Sequence, residues 1–469
     1  MKKFLAMLLA LCMALSLVAC GGSSDSGSST EAPATNDKGI VEGSNKSASG
    51  ETDKDVYIDF WGVWANDNYR AMYWQEKAAE FCEAYEAETG ISVQFEYFGQ
   101  GGYGAVAEKL AGGAVTKELP VISQVEEQAT ARFYPLAADL TKYLSAEAID
   151  DYLDGLMVSC TQNGTVCAVP AGRSYIVAIV NKTLLEQAGH TVDELADWTW
   201  DDFYQIAKDI SALGDDIYGH AQYWDEDAWP WESAVYSEGG SIDNADGTQI
   251  TFTVENGTPI LNLMVKMMNE GISRSFYNDF AYTDITDATY PLFGEGKLGI
   301  NIGSITQYAG CRNYRDELGN DFEIVVARQP AGSGGFSVVT GGSNMMIMDS
   351  ATETQKQVAA AFFEYLAQPE NVTGWNQTSG YMAFTESVID EPAFAETTTN
   401  DPNLMNIYQF AEDAHARPTS PYWQDMYTNV LVPDIVAMCQ NPQNFDEAAV
   451  TAMVESWIVD CQKIIDEGV

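Results

Sequence analysis

Six cysteines and three histidines are the residues best equipped for chemistry in the body of this chain, and their spacing narrows what they can do. Cys82, Cys160, Cys167, Cys311, Cys439 and Cys461 form no C-x-x-C pair, and His190, His220 and His415 lie far apart. No zinc-ligand spacing occurs, so no metal is expected. The stretch Cys160-Thr-Gln-Asn-Gly-Thr-Val-Cys167 stands out. Asn163-Gly164 is the two-residue signal of a tight β-hairpin, and that turn sets Cys160 opposite Cys167, close enough to cross-link. The two form either a disulfide or a pair of packed, reduced thiols. Gly99-Gln-Gly101-Gly-Tyr-Gly104 fits a dinucleotide fingerprint. It follows the second strand, however, and a flexible turn before a helix N-terminus serves equally well. We expect no cofactor. No G-x-S-x-G, H-E-x-x-H or Ser/Cys–His arrangement occurs. With 69 acidic residues, a pair of carboxylates says nothing about glycoside chemistry. The expectation is a protein that is not an enzyme.

The elements that must position these residues alternate. Val56–Trp61 reads as a first strand, positions 68–87 as a helix, Ile91–Phe98 as a second strand, Tyr103–Ala111 as a helix ended by Gly112-Gly113, and Pro120–Ser123 as a third strand. This βαβαβ opening argues for an α/β lobe. Helices at 201–212 and 259–269 follow, then strands at 298–302, 323–327 and 344–348, and a largely helical run from 352 to 465. About 415 residues follow the N-terminal segment, too many for one typical core, which points to two lobes. The formal net charge of −46 leaves no basic patch for nucleic acid and repels an anionic membrane surface.

The N-terminus reads as an export signal. Met1-Lys2-Lys3 precedes an apolar run from Phe4 to Val18, too short for a span of about 20 residues. Leu17-Val18-Ala19-Cys20 resembles the bacterial lipobox, which implies cleavage before Cys20 and lipidation of its thiol. Residues 21–53 are mostly Gly, Ser, Thr, Ala, Asn, Lys and acid. Such a stretch buries too little apolar surface to offset its ordering entropy and forms a tether.

Several segments then resemble one family in order. Tyr103-Gly-Ala-Val-Ala-Glu-Lys-Leu-Ala-Gly-Gly, Leu119-Pro-Val-Ile-Ser-Gln-Val, Val180-Asn-Lys-Thr-Leu-Leu-Glu-Gln-Ala-Gly189, Thr199-Trp-Asp-Asp-Phe203, Phe293-Gly-Glu-Gly-Lys-Leu-Gly-Ile300, Gly341-Gly-Ser-Asn-Met-Met-Ile-Met348 and Trp375-Asn-Gln-Thr-Ser-Gly-Tyr381 resemble bacterial solute-binding proteins of carbohydrate ABC importers. The later segments are similar to the glycerol-3-phosphate-binding branch, with departures at Ala383, at Gly172-Arg173-Ser174 and after Arg417.

The resemblance implies an α/β, two-lobe periplasmic-binding-protein-like fold with crossing hinge strands and a ligand cleft between the lobes. Residues 1–19 are then the signal peptide and 20–53 the lipidated N-terminus and tether. Lobe 1 takes 54–170 and 297–328, and lobe 2 takes 171–296 and 329–469. It implies capture of a small carbohydrate, delivery to ABC permease subunits, a monomer on the extracytoplasmic face of the cell membrane, and no contact with nucleic acid. The binding residues it points to are Tyr103, Glu127, Arg173, Ser174, Ser304, Gly342, Tyr381 and Arg417, with Asn66 and Asp67 after the first strand. Aromatic faces for the C–H side of a sugar ring come from Trp64, Trp224 and Trp229. Arg173 and Arg417 leave two ligand types open. Together they clamp a phosphate or carboxylate; set among carboxylates they suit a neutral sugar, and either can simply pair a neighbouring acid.

Overall fold

The computed structural model describes residues 46–47, 50–51, 53–222, 228–276, 285–418 and 420–468. Cys20, the residues before it, nearly all of the tether and Trp224 lie outside the described residues.

The opening unit is β1 (Val56–Gly62), α1 (Tyr69–Thr89), β2 (Val93–Gly99), α2 (Tyr103–Thr116) and β3 (Ile122–Glu126). β1 lies between β2 and β3, and all three are parallel. Asn68 caps α1 by accepting from Arg70 N at 2.9 Å. α2 runs through Gly112-Gly113 instead of stopping there. Gly113 is buried, and a Cβ on it would meet the Glu118 carbonyl at 2.6 Å, so this glycine serves packing rather than termination.

The chain continues through α3 (Asp154–Cys160) into β4 (Val169–Asn181), every residue of which is buried. The second half of the alternation is α4 (Trp200–Ser211), β5 (Tyr218–Gln222), α5 (Trp229–Ser237), α6 (Pro259–Asn269), β6 (Ser273–Ser275), β7 (Leu298–Ser304), α7 (Thr306–Glu317) and β8 (Ile324–Arg328). β9 (Val338–Ile347) then leads back to α8 (Glu353–Leu366) and α9 (Pro369–Ser379), and α10 (Pro402–Phe410), β10 (Ala414–His415) and α11 (Glu447–Glu467) follow.

One path of paired strands runs β6-β5-β7-β4-β9-β3-β1-β2, with β8 added beside β4 and β10 beside β9. β4 and β9 are the crossing strands. The first half of β4 pairs antiparallel with β9, and its second half lies between β7 and β8. The far half of β9 pairs with β3.

Two large apolar cores flank the crossing. One gathers β1, β2, α1, the start of β4, the end of β9, α8 and α9; the other runs from Tyr175 to Val339 and takes in the chain from Ile407 to Cys461. This corrects the expected lobe boundaries. β7 and β8, within 297–328, pack in the second core and not the first, because both pair with the second half of β4. α8 and α9, expected in lobe 2, pack in the first, where Trp375 stacks on Trp74 with centroids 4.8 Å apart and planes at 25°. Trp64 joins this stack 5.1 Å from Trp74.

The hairpin at Asn163-Gly164 forms, with φ of 51° and 78° at the two turn residues and Thr161 opposite Val166. Cys160 and Cys167 are both buried, with no disulfide between them. Cys167 N–H and Sγ both point at the Cys160 carbonyl, at 2.9 and 3.3 Å. Burial pushes the Cys160 thiol well above its usual range, so it is a packing group. Among the described residues, no helix is long and apolar enough to cross a membrane.

Candidate functional site

The crossing of β4 and β9, beside the C-terminal end of β3, gathers most of the residues singled out in the sequence. Successive side chains of a strand point to opposite faces, so sequence neighbours separate here.

Arg173 and Glu127 share one side. Arg173 is completely buried and ion-pairs with Glu127, itself 1% exposed. Arg173 Nη1 donates to Ser159 Oγ and Asn344 Oδ1, both at 2.9 Å, and Nη2 donates to Thr340 Oγ1 at 3.1 Å. The Thr340 hydroxyl donates to Glu127 Oε1 at 2.7 Å. Asn344 Nδ2 extends the network to Thr130 Oγ1 at 3.0 Å. Arg173 thus ties α3, β4, β9 and the end of β3 together through its two Nη atoms, while its Nε and Glu127 Oε2 are buried with no hydrogen-bond partner among the described residues.

Ser174 faces the other way. Its Oγ lies 2.6 Å from Ser304 Oγ, which is 2.9 Å from Thr306 Oγ1. On this side Gly172 lies under the ring of Tyr381 and Gly341 under that of Trp229, where a Cβ would meet the rings at 3.1 and 2.6 Å. Trp229 Nε1 donates to the carbonyls of Val339 and Thr340, both at 3.1 Å. Gly342 has φ 99°, and a Cβ there would run into the Gly172 carbonyl. This glycine is required by the close approach of the two crossing strands, and its own carbonyl accepts from Glu127 N at 2.9 Å.

Glu126, one residue before Glu127, meets the second arginine. Its Oε1 lies 3.5 Å from Arg417 Nη1, and its Oε2 accepts from Tyr427 at 2.9 Å. Arg417 also forms a two-pronged pair with Glu232 of α5, Nε to Oε2 at 3.0 Å and Nη2 to Oε1. Trp423 Nε1 donates to the same Oε1 at 3.0 Å. Glu126, Arg417 and Glu232 are all buried. Glu126 comes from the first lobe and the other two from the second, so the cluster spans the cleft. Gln128 to Tyr427 at 3.2 Å and Arg132 to Asp425 at 3.2 Å span it as well. Tyr103, the first residue of α2, sits beside Tyr381 and Glu126; burial raises its phenol well above the usual value and keeps it neutral. Gln128 Oε1 and Gln424 Oε1 are buried polar atoms with no hydrogen-bond partner among the described residues.

Other sequence candidates fall elsewhere. Asn66 fastens the end of β1 to β2, donating to Tyr97 O and accepting from Gly99 N, both at 2.8 Å. Asp67 is exposed beside the helix cap. Trp64 is half-buried in the aromatic stack, with Arg70 5.7 Å over its ring. Trp224 lies outside the described residues. Nothing in the sequence marks Glu232, Trp423 or Tyr427, and Glu126 is marked only by standing next to Glu127.

The arrangement offers phenols, amides, hydroxyls and aromatic faces, with both arginines already met by carboxylates. It can bind a polar molecule between two lobes. The architecture is a two-lobe α/β fold whose lobes meet at the crossing of β4 and β9.

The chain belongs to the bacterial extracellular solute-binding protein family, whose model matches residues 80–406. Among solved structures, an ABC transporter solute-binding protein of Thermotoga lettingae bound with α-D-tagatose aligns with a TM-score of 0.69 and 18% identity, over 87% of this chain and 99% of that one. UgpB of Mycobacterium tuberculosis in complex with glycerophosphocholine aligns with a TM-score of 0.65 and 18% identity, over 86% and 99%. At these identities the likeness is one of fold. The sn-glycerol-3-phosphate-binding periplasmic protein UgpB of Escherichia coli (strain K12) is 23% identical over 242 residues, 50% of this chain and 52% of that protein. The chain spans about half the length of the curated relatives it matches.

Proposed function

We propose that this protein is the substrate-binding lipoprotein of an ABC importer, capturing a neutral carbohydrate, either a sugar or an oligosaccharide, outside the membrane and delivering it to the permease. The observation that carries the carbohydrate reading is the pairing of both candidate arginines. A phosphate needs a cationic fork to receive it, and here Glu127 meets Arg173 while Glu126 and Glu232 meet Arg417. Hydroxyls need neutral donors, acceptors and flat apolar faces, which Tyr103, Ser174, Ser304, Gln128, Trp229 and Tyr381 supply. The work done is capture by lobe closure, with no covalent step. Cys20 carries the lipid in this reading, residues 21–53 are the leash, and acyl chains are the protein's sole hold on the membrane.

A second reading, glycerol-3-phosphate or a glycerophosphodiester, draws support from the curated relatives matched over half their length. A thermal-shift panel on the full chain separates the two, because only a ligand of the folded state raises the melting point. Neutral mono- and oligosaccharides are expected to raise it; a rise with glycerol-3-phosphate or glycerophosphocholine alone selects the second reading.

A further inference from the structure

We infer that Glu126 is a specificity-determining residue, closing the site to anionic ligands by holding the edge of Arg417 that an oxyanion would otherwise take. The inference rests on the carbohydrate reading above.

A guanidinium presents its five N–H donors along distinct edges, and each edge suits one carboxylate or phosphate. Glu232 takes the Nε/Nη2 edge of Arg417 and, with Trp423 on the same oxygen, fixes the plane of the guanidinium. Glu126 Oε1 lies off Nη1, at 3.5 Å. That distance is longer than a tight charge-assisted hydrogen bond of about 2.7–2.9 Å, so this contact is the looser of the two. Tyr427 holds the other Glu126 oxygen at 2.9 Å. A phosphate or carboxylate approaching Nη1 therefore meets a carboxylate already there, buried where charges are poorly screened. A hydroxyl group meets no such opposition and can accept from, or donate to, the same groups.

The contact also joins the lobes. Glu126 stands at the end of β3 in the first lobe, while Arg417 and Glu232 belong to the second. In an anion-binding cleft the ligand's own charge would bridge these surfaces. Here the protein supplies that charge itself, so closure over a neutral ligand leaves the guanidinium matched. Glu126 and Glu127 thus divide the two arginines between them, one on each face of the crossing.

The test uses the full chain and two probes, glycerol-3-phosphate and inorganic phosphate, followed by calorimetric titration and thermal shift. The wild-type protein is expected to ignore both. Glu126→Gln keeps the side-chain shape and removes the charge. It is expected to gain glycerol-3-phosphate binding by about 10- to 100-fold, the range of one charge-assisted hydrogen bond. Tyr427→Phe loosens Glu126 and also removes the acceptor of Gln128; it is expected to gain less, and it serves if E126Q does not fold. Phosphate binding by the wild type contradicts the carbohydrate reading and this inference together. A wild type indifferent to phosphate, with folded variants equally indifferent, overturns this inference alone.

Discussion

Replacing Arg173 by methionine distinguishes an arginine that holds the hinge from one that holds a ligand. The side chain is fully buried, pairs with Glu127 and makes hydrogen bonds to Ser159, Asn344 and Thr340. Methionine fills much of the arginine stem but leaves the Glu127 carboxylate, 1% exposed, without its counter-charge. Removing one partner of a buried ion pair costs about 3–5 kcal/mol, against a total stability of about 5–15 kcal/mol for a typical domain. Urea denaturation of the full chain, read by tryptophan fluorescence, measures the loss. The double variant Arg173→Met/Glu127→Leu carries no stranded charge, and we expect it to recover part of the stability, so the two losses are strongly non-additive. An R173M loss below about 1 kcal/mol, or sugar binding abolished at unchanged stability, refutes the placement of Arg173 in the hinge network.

Two further predictions rest on single side chains. Burial pushes the Asp59 carboxyl up from 3.8 to about 6, against the hydrogen bond from Val121 N at 2.7 Å. The folded state then binds the proton more tightly than the unfolded state, so this group's contribution to stability falls as pH rises from about 4 to about 6. Asp59→Asn is expected to gain about 1–3 kcal/mol at neutral pH and nothing near pH 3, with a flatter stability profile between; an unchanged profile contradicts the assignment. Gly342→Ala places a methyl against the Gly172 carbonyl at φ 99° and is expected to destabilise by at least about 1–3 kcal/mol, measured by thermal unfolding; a neutral substitution means that the crossing strands do not need this close approach.

Much of the fold is legible in the order of elements, because strand and helix periodicity survive in segments such as Val56–Gly62 and Trp200–Ser211. Lobe membership is not. β7 and β8 look like any other strands, and only their pairing with the second half of β4 assigns them. The true extent of β9 is masked by Gly341-Gly342, residues that weaken a strand in isolation yet are required by Trp229 and Gly172 at the crossing. The end of β3 is hidden for a different reason: the expected strand stops at Ser123, where the apolar run ends, whereas β3 continues through Gln124 to Glu126; polar residues at a strand end are what a site is built from. In a chain with 69 acids and 23 basic residues, proximity in sequence cannot say which carboxylate meets which arginine. The alternation of strand faces decides it, sending Glu127 to Arg173 and Glu126 to Arg417.

The most direct measurement is a calorimetric titration of the full chain with neutral saccharides, glycerol-3-phosphate and glycerophosphocholine under one set of conditions. One-to-one binding of a neutral saccharide, with no heat from either phosphate compound, is the expected result. Saturable binding of glycerol-3-phosphate, with every saccharide silent, contradicts the neutral-carbohydrate reading.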